Sequence, residues 1–199
     1  MIRVVPLMVS PLHQPMAPWV YAADAEGESR KDFGGYGVVA APVGEKEATL
    51  AWLAGVKAHH TLARLDGSVS HLVSGERALM SKTAVSRVPR SILQLKASAW
   101  RPVAWGRWAY ADPIMLGEGR AVVSLMERLA SHPGAHHRDA VVLEDNESLS
   151  GAIAKGRSPC RAVNYILRKI AALSGASGIR PACPWVDTKH QPADRLSRL

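Results

Sequence analysis

The chain has few cysteines and no long apolar run, and both shortages argue against whole classes of protein. Cys160 and Cys183 are its two cysteines, with no CxxC pair and no Cys/His cluster, so a structural zinc site is not expected. They are interpreted as ordinary thiols of a reducing compartment. No apolar run approaches the roughly 18 residues of a membrane span, and residues 1–18 lack the features of a signal peptide. We expect an intracellular protein, in the cytoplasm or nucleus, that is not secreted and has no membrane partner.

Acidic residues are also scarce. Asp and Glu number 17 against 25 Lys and Arg, a net charge of +8. Two stretches, 78–111 and 148–186, each contain six basic residues and no acid. Solvated faces usually mix charges, so these stretches favour a phosphate-binding surface and a nucleic-acid partner. Three tryptophans in the first stretch, Trp100, Trp105 and Trp108, are expected in the core rather than as base-stacking platforms.

Apolar patterning predicts an α/β fold in one domain, 19–199, preceded by an N-terminal arm or linker, 1–18. Strands are predicted over 19–25, 34–41, 100–110, 138–145 and 181–186. Helices are predicted over 45–60, from Pro113 to the Pro133-Gly134 pair, and over 146–154, 161–173 and 193–199. The first two strands should form a hairpin. Residues 62–99 are harder to interpret, and 90–97 fits a helix or a strand.

Four carboxylates stand at positions that need an explanation. Asp24 interrupts an apolar strand, and Asp145 closes another. A carboxylate at the end of a buried strand is costly unless it is paired or binds a cation. Glu118 lies one turn into the helix that Pro113 opens, and Asp194 opens the last predicted helix. Convergence of several carboxylates would indicate a divalent metal site, and therefore phosphoryl chemistry.

In this order, with these elements between them, the motifs resemble the ribonuclease H domain of retroelement reverse transcriptases. The resemblance covers 19–41 and 100–199. It includes Asp145-Asn146-Glu147-Ser148 followed by Lys155-Gly156-Arg157-Ser158, and the run from Trp185 to Asp194. It implies the ribonuclease H-like fold: a five-stranded mixed sheet, an antiparallel meander followed by parallel strands, flanked by helices. Residues 42–99 would be a large insert between strands 2 and 3.

The resemblance further implies a metal-dependent endonuclease that hydrolyses the RNA strand of RNA–DNA hybrids. The catalytic and metal-binding residues would be Asp24, Glu118, Asp145 and Asp194, with carboxyl groups within about 8 Å of one another. They would hold two Mg²⁺ ions, for which Mn²⁺ would substitute. The implied partners are the hybrid and a reverse transcriptase domain or chain.

Other residues have secondary roles in this interpretation. Contacts to nucleic acid are expected from Lys155, Arg157, Arg161, Arg101 and Arg107. His190 is a candidate for an accessory role in product release or protonation, and its alternative is a solvated loop histidine.

Each acidic position also has a competing explanation. The rival acids are Glu26, Glu28 and Asp32 beside Asp24, Asp112 and Glu127 for Glu118, and Asp187 for Asp194. Asp145 could instead cap the following helix, unless Asn146 does so, while Glu144 should point to the opposite face of its strand. The glycines beside Glu118 and the large insert leave a catalytically inactive nucleic-acid-binding module as the alternative function. The terminal Pro-Ala-Asp pattern argues against a DNA-acting transposase or resolvase.

Overall fold

The computed structural model describes residues 14–28, 33–57 and 88–199. Its strands are β1 (Met16–Ala25), β2 (Gly35–Pro42), β3 (Arg101–Arg107), β4 (Asp139–Leu143) and β5 (Arg180–Ala182). Its helices are α1 (Glu45–Lys57), α2 (Arg90–Leu93), α3 (Ile114–Ala130), α4 (Glu147–Lys155), α5 (Arg161–Ser177) and α6 (Asp194–Ser197). Three short 3-10 turns lie at Ala97–Ala99, Pro133–Ala135 and Thr188–His190.

The five strands form one mixed sheet in the order β3-β2-β1-β4-β5. The β1, β2 and β3 strands are an antiparallel meander, whereas β4 pairs in parallel with both β1 and β5. Helices flank the sheet, so the α/β, ribonuclease H-like architecture predicted from the sequence is confirmed. The hairpin prediction is confirmed too, because β1 and β2 pair from Trp19 with Pro42 to Ala25 with Tyr36.

Successive strand residues point to opposite faces of the sheet, and each face has its own core. On the first face, α3 and α5 contribute Val122, Leu125, Met126, Ile166 and Ile170, which pack with Tyr21, Ala23 and Val142. On the second face, Ala51 of α1 and Ile92 of α2 pack with Val20, Ala22, Val141 and Leu143. The sheet is therefore held between two packed layers.

The predicted insert begins with a helix that belongs to the fold. Helix α1 contacts β1, β4 and β5 across the second face. Its close approach depends on Gly55, where an added Cβ would lie 2.9 Å from the Pro184 backbone nitrogen. Residues 58–87 of the insert lie outside the described part of the chain. The insert therefore supplies part of the core, at least through α1 and α2.

Several boundaries differ from the sequence prediction. Strand β1 begins at Met16, three residues before the predicted strand, and Met16 pairs with Asp139. Strand β5 ends at Ala182, and only an isolated bridge joins Trp185 to Glu144. Pro184 takes part in that bridge, because its carbonyl accepts a 3.2 Å hydrogen bond from the Glu144 N–H.

Two helical predictions also need correction. The predicted end of the helix at residue 173 is too early: of Gly175 and Gly178, the two glycines expected to stop it, Gly178 does so with a left-handed φ of 69°, and α5 continues to Ser177. Residues 90–97 form helix α2 followed by irregular backbone, rather than a strand. Within the described ranges, no helix is both long and apolar enough to cross a membrane. Both cysteines are free thiols, with Cys160 exposed and Cys183 buried.

Candidate metal centre

Three of the four predicted carboxylates lie together at one end of the sheet. One ligand atom each of Asp24, Glu118 and Asp145 lies within 4.8 Å of the others. Asp24 and Glu118 are both 6% exposed, and Asp145 is half-buried. Carboxylate oxygens at this spacing are the donors that Mg²⁺ and Mn²⁺ take in proteins, so the three residues present suit a divalent cation.

The sheet register brings Asp24 and Asp145 together. Strands β1 and β4 are parallel and pair Ala22 with Leu143, so the two aspartates follow two residues further along adjacent strands. Asp145 comes directly after β4, and the next residue, Asn146, caps α4 by accepting a 3.1 Å hydrogen bond from the Leu149 N–H. The cap is thus supplied by Asn146 rather than by Asp145, as one of the two sequence interpretations predicted.

The two glycines around Glu118 allow α3 to approach its neighbours closely. A Cβ at Gly117 would lie 3.3 Å from the Ala25 Cβ, and one at Gly119 would lie 3.0 Å from two methyl carbons of Ile166 in α5. In the sequence interpretation, these glycines are one reason to keep a catalytically inactive binding module as the alternative function. Their packing gives them a structural reason, because Gly117 brings the helix that carries Glu118 against the end of β1 and Gly119 brings it against α5.

Helix α6 closes the site from the β2 side. A Cβ at Gly37 would lie 2.7 Å from the Ser197 backbone nitrogen, so only glycine lets α6 lie this close to β2. Ser197 can then donate a 2.5 Å hydrogen bond from Oγ to Asp24 Oδ2. The chain before α6 is fixed as well, because Gln191 Nε2 donates to the Ala23 carbonyl at 3.0 Å.

Burial sets the electrostatics of the site. It raises the pKa of Asp24 to about 6, against the opposing hydrogen bond from Ser197, and the nearby Asp145 and Asp194 carboxylates raise it further. Burial likewise raises the pKa of Glu118 to about 7, against the hydrogen bond that Asn146 donates. Close like charges and desolvation both disfavour the ionised forms, and a bound cation would favour them.

Asp194 lies near this group and has a different partner. Its Oδ1 accepts hydrogen bonds from Arg198 Nη2 at 2.7 Å and from Nε at 3.2 Å, one helical turn away. Its side chain is 37% exposed, and the acidic group found among the described residues comprises Asp24, Glu118 and Asp145 without it. The structure therefore brings together three of the four predicted ligands.

The rival acids occupy other environments. Asp112 forms an ion pair with Arg120, and Glu127 is exposed on α3. Asp187 is exposed, and its Oδ1 lies 2.9 Å from His190 Nδ1. His190 is the partner in that contact, and its side chain is 42% exposed. Glu26 is partly buried and Glu28 exposed, whereas Asp32 lies outside the described residues.

The predicted basic contacts are all exposed. Lys155 ends α4, Arg157 follows in the loop, and Arg161 begins α5. Arg101 and Arg107 lie at the two ends of β3. Between them, Trp105 is 59% exposed, so the expectation that it belongs to the core is wrong. Ala104 and Trp105 are successive residues of edge strand β3, so they point to opposite faces of the sheet; Ala104 is packed into the core, and Trp105 is exposed on the other face.

Two nearby residues were not predicted to belong to the site. Trp185 is 47% exposed, and its indole N–H donates a 2.9 Å hydrogen bond to the Asp145 carbonyl. Glu144 is fully buried. This burial, and to a smaller extent repulsion from Glu118, raises its pKa well above the usual range. Its Oε2 has no hydrogen-bond donor among the described residues. The sequence shows a glutamate directly before Asp145, but the alternation of strand residues does not predict that this glutamate is fully buried.

No family model and no curated protein matches the chain.

Proposed function

We propose that this chain is a ribonuclease H of a reverse-transcribing element, a two-metal-ion hydrolase that cuts the RNA strand of RNA–DNA hybrids. The observation that carries the proposal is the convergence of Asp24, Glu118 and Asp145 at the end of a ribonuclease H-like sheet. The positive net charge of +8 supports a nucleic-acid substrate.

The three carboxylates would hold Mg²⁺, with Mn²⁺ as a substitute. When bound, two ions would activate a water and stabilise the leaving 3′-oxygen. Asp24 and Glu118 must be ionised for this role, so we expect the site to load better above pH 7 than below pH 6. Asp194 would join as the fourth ligand through Oδ2, because both hydrogen bonds from Arg198 go to Oδ1.

The exposed basic residues would bind the substrate backbone. Lys155, Arg157 and Arg161 lie in an acid-free stretch around the α4–α5 connection, and Arg101 and Arg107 lie on β3. Selection of RNA would require contacts to 2′-hydroxyls, the group that DNA lacks. A reverse transcriptase domain or chain as partner, and a setting in the cytoplasm or nucleus, belong to the same proposal.

The decisive experiment is a cleavage assay on a hybrid with labelled RNA, with duplex DNA and duplex RNA of the same sequence as controls. We expect Mg²⁺-dependent cleavage of the hybrid RNA strand that stops on addition of EDTA. Asp145→Asn should abolish cleavage and leave hybrid binding nearly intact, because it removes a metal ligand rather than a phosphate contact.

Asp187→Asn is the matched control, an acid-to-amide change at an exposed residue outside the acidic group, and should retain activity. If Asp187→Asn is inactive and Asp145→Asn is active, the ligand assignment is wrong. No hybrid cleavage by the wild-type protein with Mg²⁺ or Mn²⁺ would contradict the proposed function.

The second candidate is a catalytically inactive binding module. The contact that favours it is the Arg198–Asp194 pair, which occupies one carboxylate oxygen of the predicted fourth ligand. This candidate predicts binding of the hybrid without cleavage at any Mg²⁺ concentration, and Arg198→Ala would then not produce activity.

A further inference from the structure

Asn146 makes three hydrogen bonds that connect the candidate metal centre to the scaffold. Its Oδ1 accepts from the Leu149 N–H at 3.1 Å, and its Nδ2 donates to Glu118 Oε2 at 2.6 Å. Its backbone N–H donates to Oε1 of the buried Glu144 at 3.3 Å. One side chain therefore joins the N-terminus of α4 to a carboxylate on α3.

The helix cap fixes the orientation of this amide. Only the amide oxygen can accept from the Leu149 N–H, so the NH₂ group must face the other way, toward Glu118. A hydrogen bond from a neutral donor to a carboxylate is shorter and stronger than one between neutral groups, and the 2.6 Å distance fits that class.

Glu118 needs such a partner because its side chain is long. It extends from a helix, and its carboxylate must reach two carboxylates that lie at the ends of sheet strands. A fixed donor on one oxygen restricts the rotation of the carboxylate and directs it toward the shared site. Ligands of metal ions commonly depend on hydrogen-bonding partners of this kind.

We propose that Asn146 is a positioning residue, which holds the Glu118 carboxylate in place for a divalent cation through the same amide that caps α4. This inference rests on the metal centre of the proposed function. It adds a role for a residue outside the carboxylate set, and the role can be measured without any cleavage reaction.

The test uses variants that separate the cap from the donor. Serine and threonine both cap helices, but their single hydroxyl oxygen cannot reach Leu149 and Glu118 as an amide does. Asn146→Ser and Asn146→Thr should therefore keep α4 and lose the bond to Glu118, whereas Asn146→Ala loses both. Asn164→Ser is the matched control, because Asn164 makes two hydrogen bonds to Ser158 and none of them involves the acidic group.

The measurement is Mn²⁺ affinity by calorimetry at pH 8, together with the melting temperature of the metal-free protein. We expect Asn146→Ser and Asn146→Thr to bind Mn²⁺ about 10-fold or more weakly at a nearly unchanged melting temperature. Asn146→Ala should also melt earlier, and Asn164→Ser should bind Mn²⁺ as the wild type does. In a double-mutant cycle, Asn146→Ser should have little further effect on Mn²⁺ affinity when Glu118 is already Gln.

Two results would overturn the inference. One is wild-type Mn²⁺ affinity in both cap-retaining variants, and the other is an equal loss of affinity in Asn164→Ser. Failure of the nuclease proposal gives a different pattern: hybrid cleavage is absent, but Mn²⁺ binds and still weakens in Asn146→Ser.

Discussion

At the scale of single residues, desolvation and a few hydrogen bonds have opposite effects on the pKa values of the carboxylates in the site. Asp24 and Glu118 each accept a hydrogen bond, from Ser197 and Asn146, yet both pKa values are raised because burial is the larger effect. The protein keeps two groups whose ionised forms are unfavourable in the metal-free fold. Such groups cluster at functional sites, where a ligand supplies the missing charge.

This balance predicts how stability depends on pH. Asp24 and Glu118 bind protons more tightly in the folded state than in the unfolded chain, so their stabilising contribution is complete below about pH 4. It is lost as the pH rises through about 6 and 7. Each shift of about two pKa units corresponds to a few kcal/mol. Denaturant unfolding of the metal-free protein should therefore show lower stability at pH 8 than at pH 5.

Asp24→Asn is the comparison for that experiment. The amide is neutral at every pH, so the variant should lose less stability than the wild type between pH 5 and pH 8. Mg²⁺ should stabilise the wild type more at pH 8 than at pH 5, because it competes with protons for the carboxylates. An equal pH dependence in the two proteins would contradict the burial argument for Asp24.

At the scale of secondary-structure elements, glycine sets the distances. Helix α3 approaches α5 at Gly119, and α6 approaches β2 at Gly37. Both contacts place a polar side chain at the site, Glu118 in the first case and Ser197 in the second. The geometry of the acidic group therefore depends on how closely two helices pack, as well as on the strands that carry the aspartates.

Two helical glycines give a paired test of this dependence. An added Cβ at Gly175 in α5 meets nothing within 4 Å, so Gly175→Ala should gain up to about 1 kcal/mol from helix propensity. At Gly119 the same gain is opposed by the methyl groups of Ile166, which is buried and β-branched and cannot move easily. Overpacking costs about 1–3 kcal/mol, so Gly119→Ala should be destabilising and should also weaken Mn²⁺ binding.

Chemical denaturation measures both effects. A stabilised Gly119→Ala protein with unchanged Mn²⁺ affinity would show that α3 has room to move, and that its close approach does not position Glu118.

At the scale of the whole molecule, charge is distributed unevenly along the chain. Asp24, Glu118 and Asp145 converge at one end of the sheet, while Lys155, Arg157 and Arg161 are exposed around the α4–α5 connection. A protein that binds a phosphate backbone releases counterions, and its affinity depends on salt accordingly.

We expect that replacing Lys155, Arg157 and Arg161 with Ala weakens hybrid binding about equally for all sequences. The slope of log K against log salt should flatten by up to about two or three units. Cleavage at saturating hybrid should survive, since no metal ligand changes. Lys46→Ala with Arg128→Ala is the control, because both residues are exposed and lie outside the acid-free stretches. An unchanged slope in the triple variant would mean that the residues that bind the hybrid backbone lie in the Lys82–Arg107 stretch instead.

Much of this arrangement could be predicted from the sequence because the signals are local. Asp24 and Asp145 end apolar runs, and parallel strands bring such ends together. The state of Asp194 was less predictable, because it depends on whether Arg198 one turn later pairs with it. The role of α1 was also missed, since its partial apolar face does not tell which side of the sheet it covers. Trp105 was misjudged because the sequence of β3 does not tell which of its two faces is covered.

The parallel pairing of β1 with β4 also has a consequence for folding kinetics. The acidic group draws on β1, α3 and β4, and most of the chain separates the first of these from the last. Long-range pairing forms late because loop closure must come first, so an early state that holds only the local β1–β2 hairpin offers a cation a single ligand, Asp24. In stopped-flow refolding, Mn²⁺ binding should therefore appear with the final cooperative phase, and the ion would act as a reporter of completed topology.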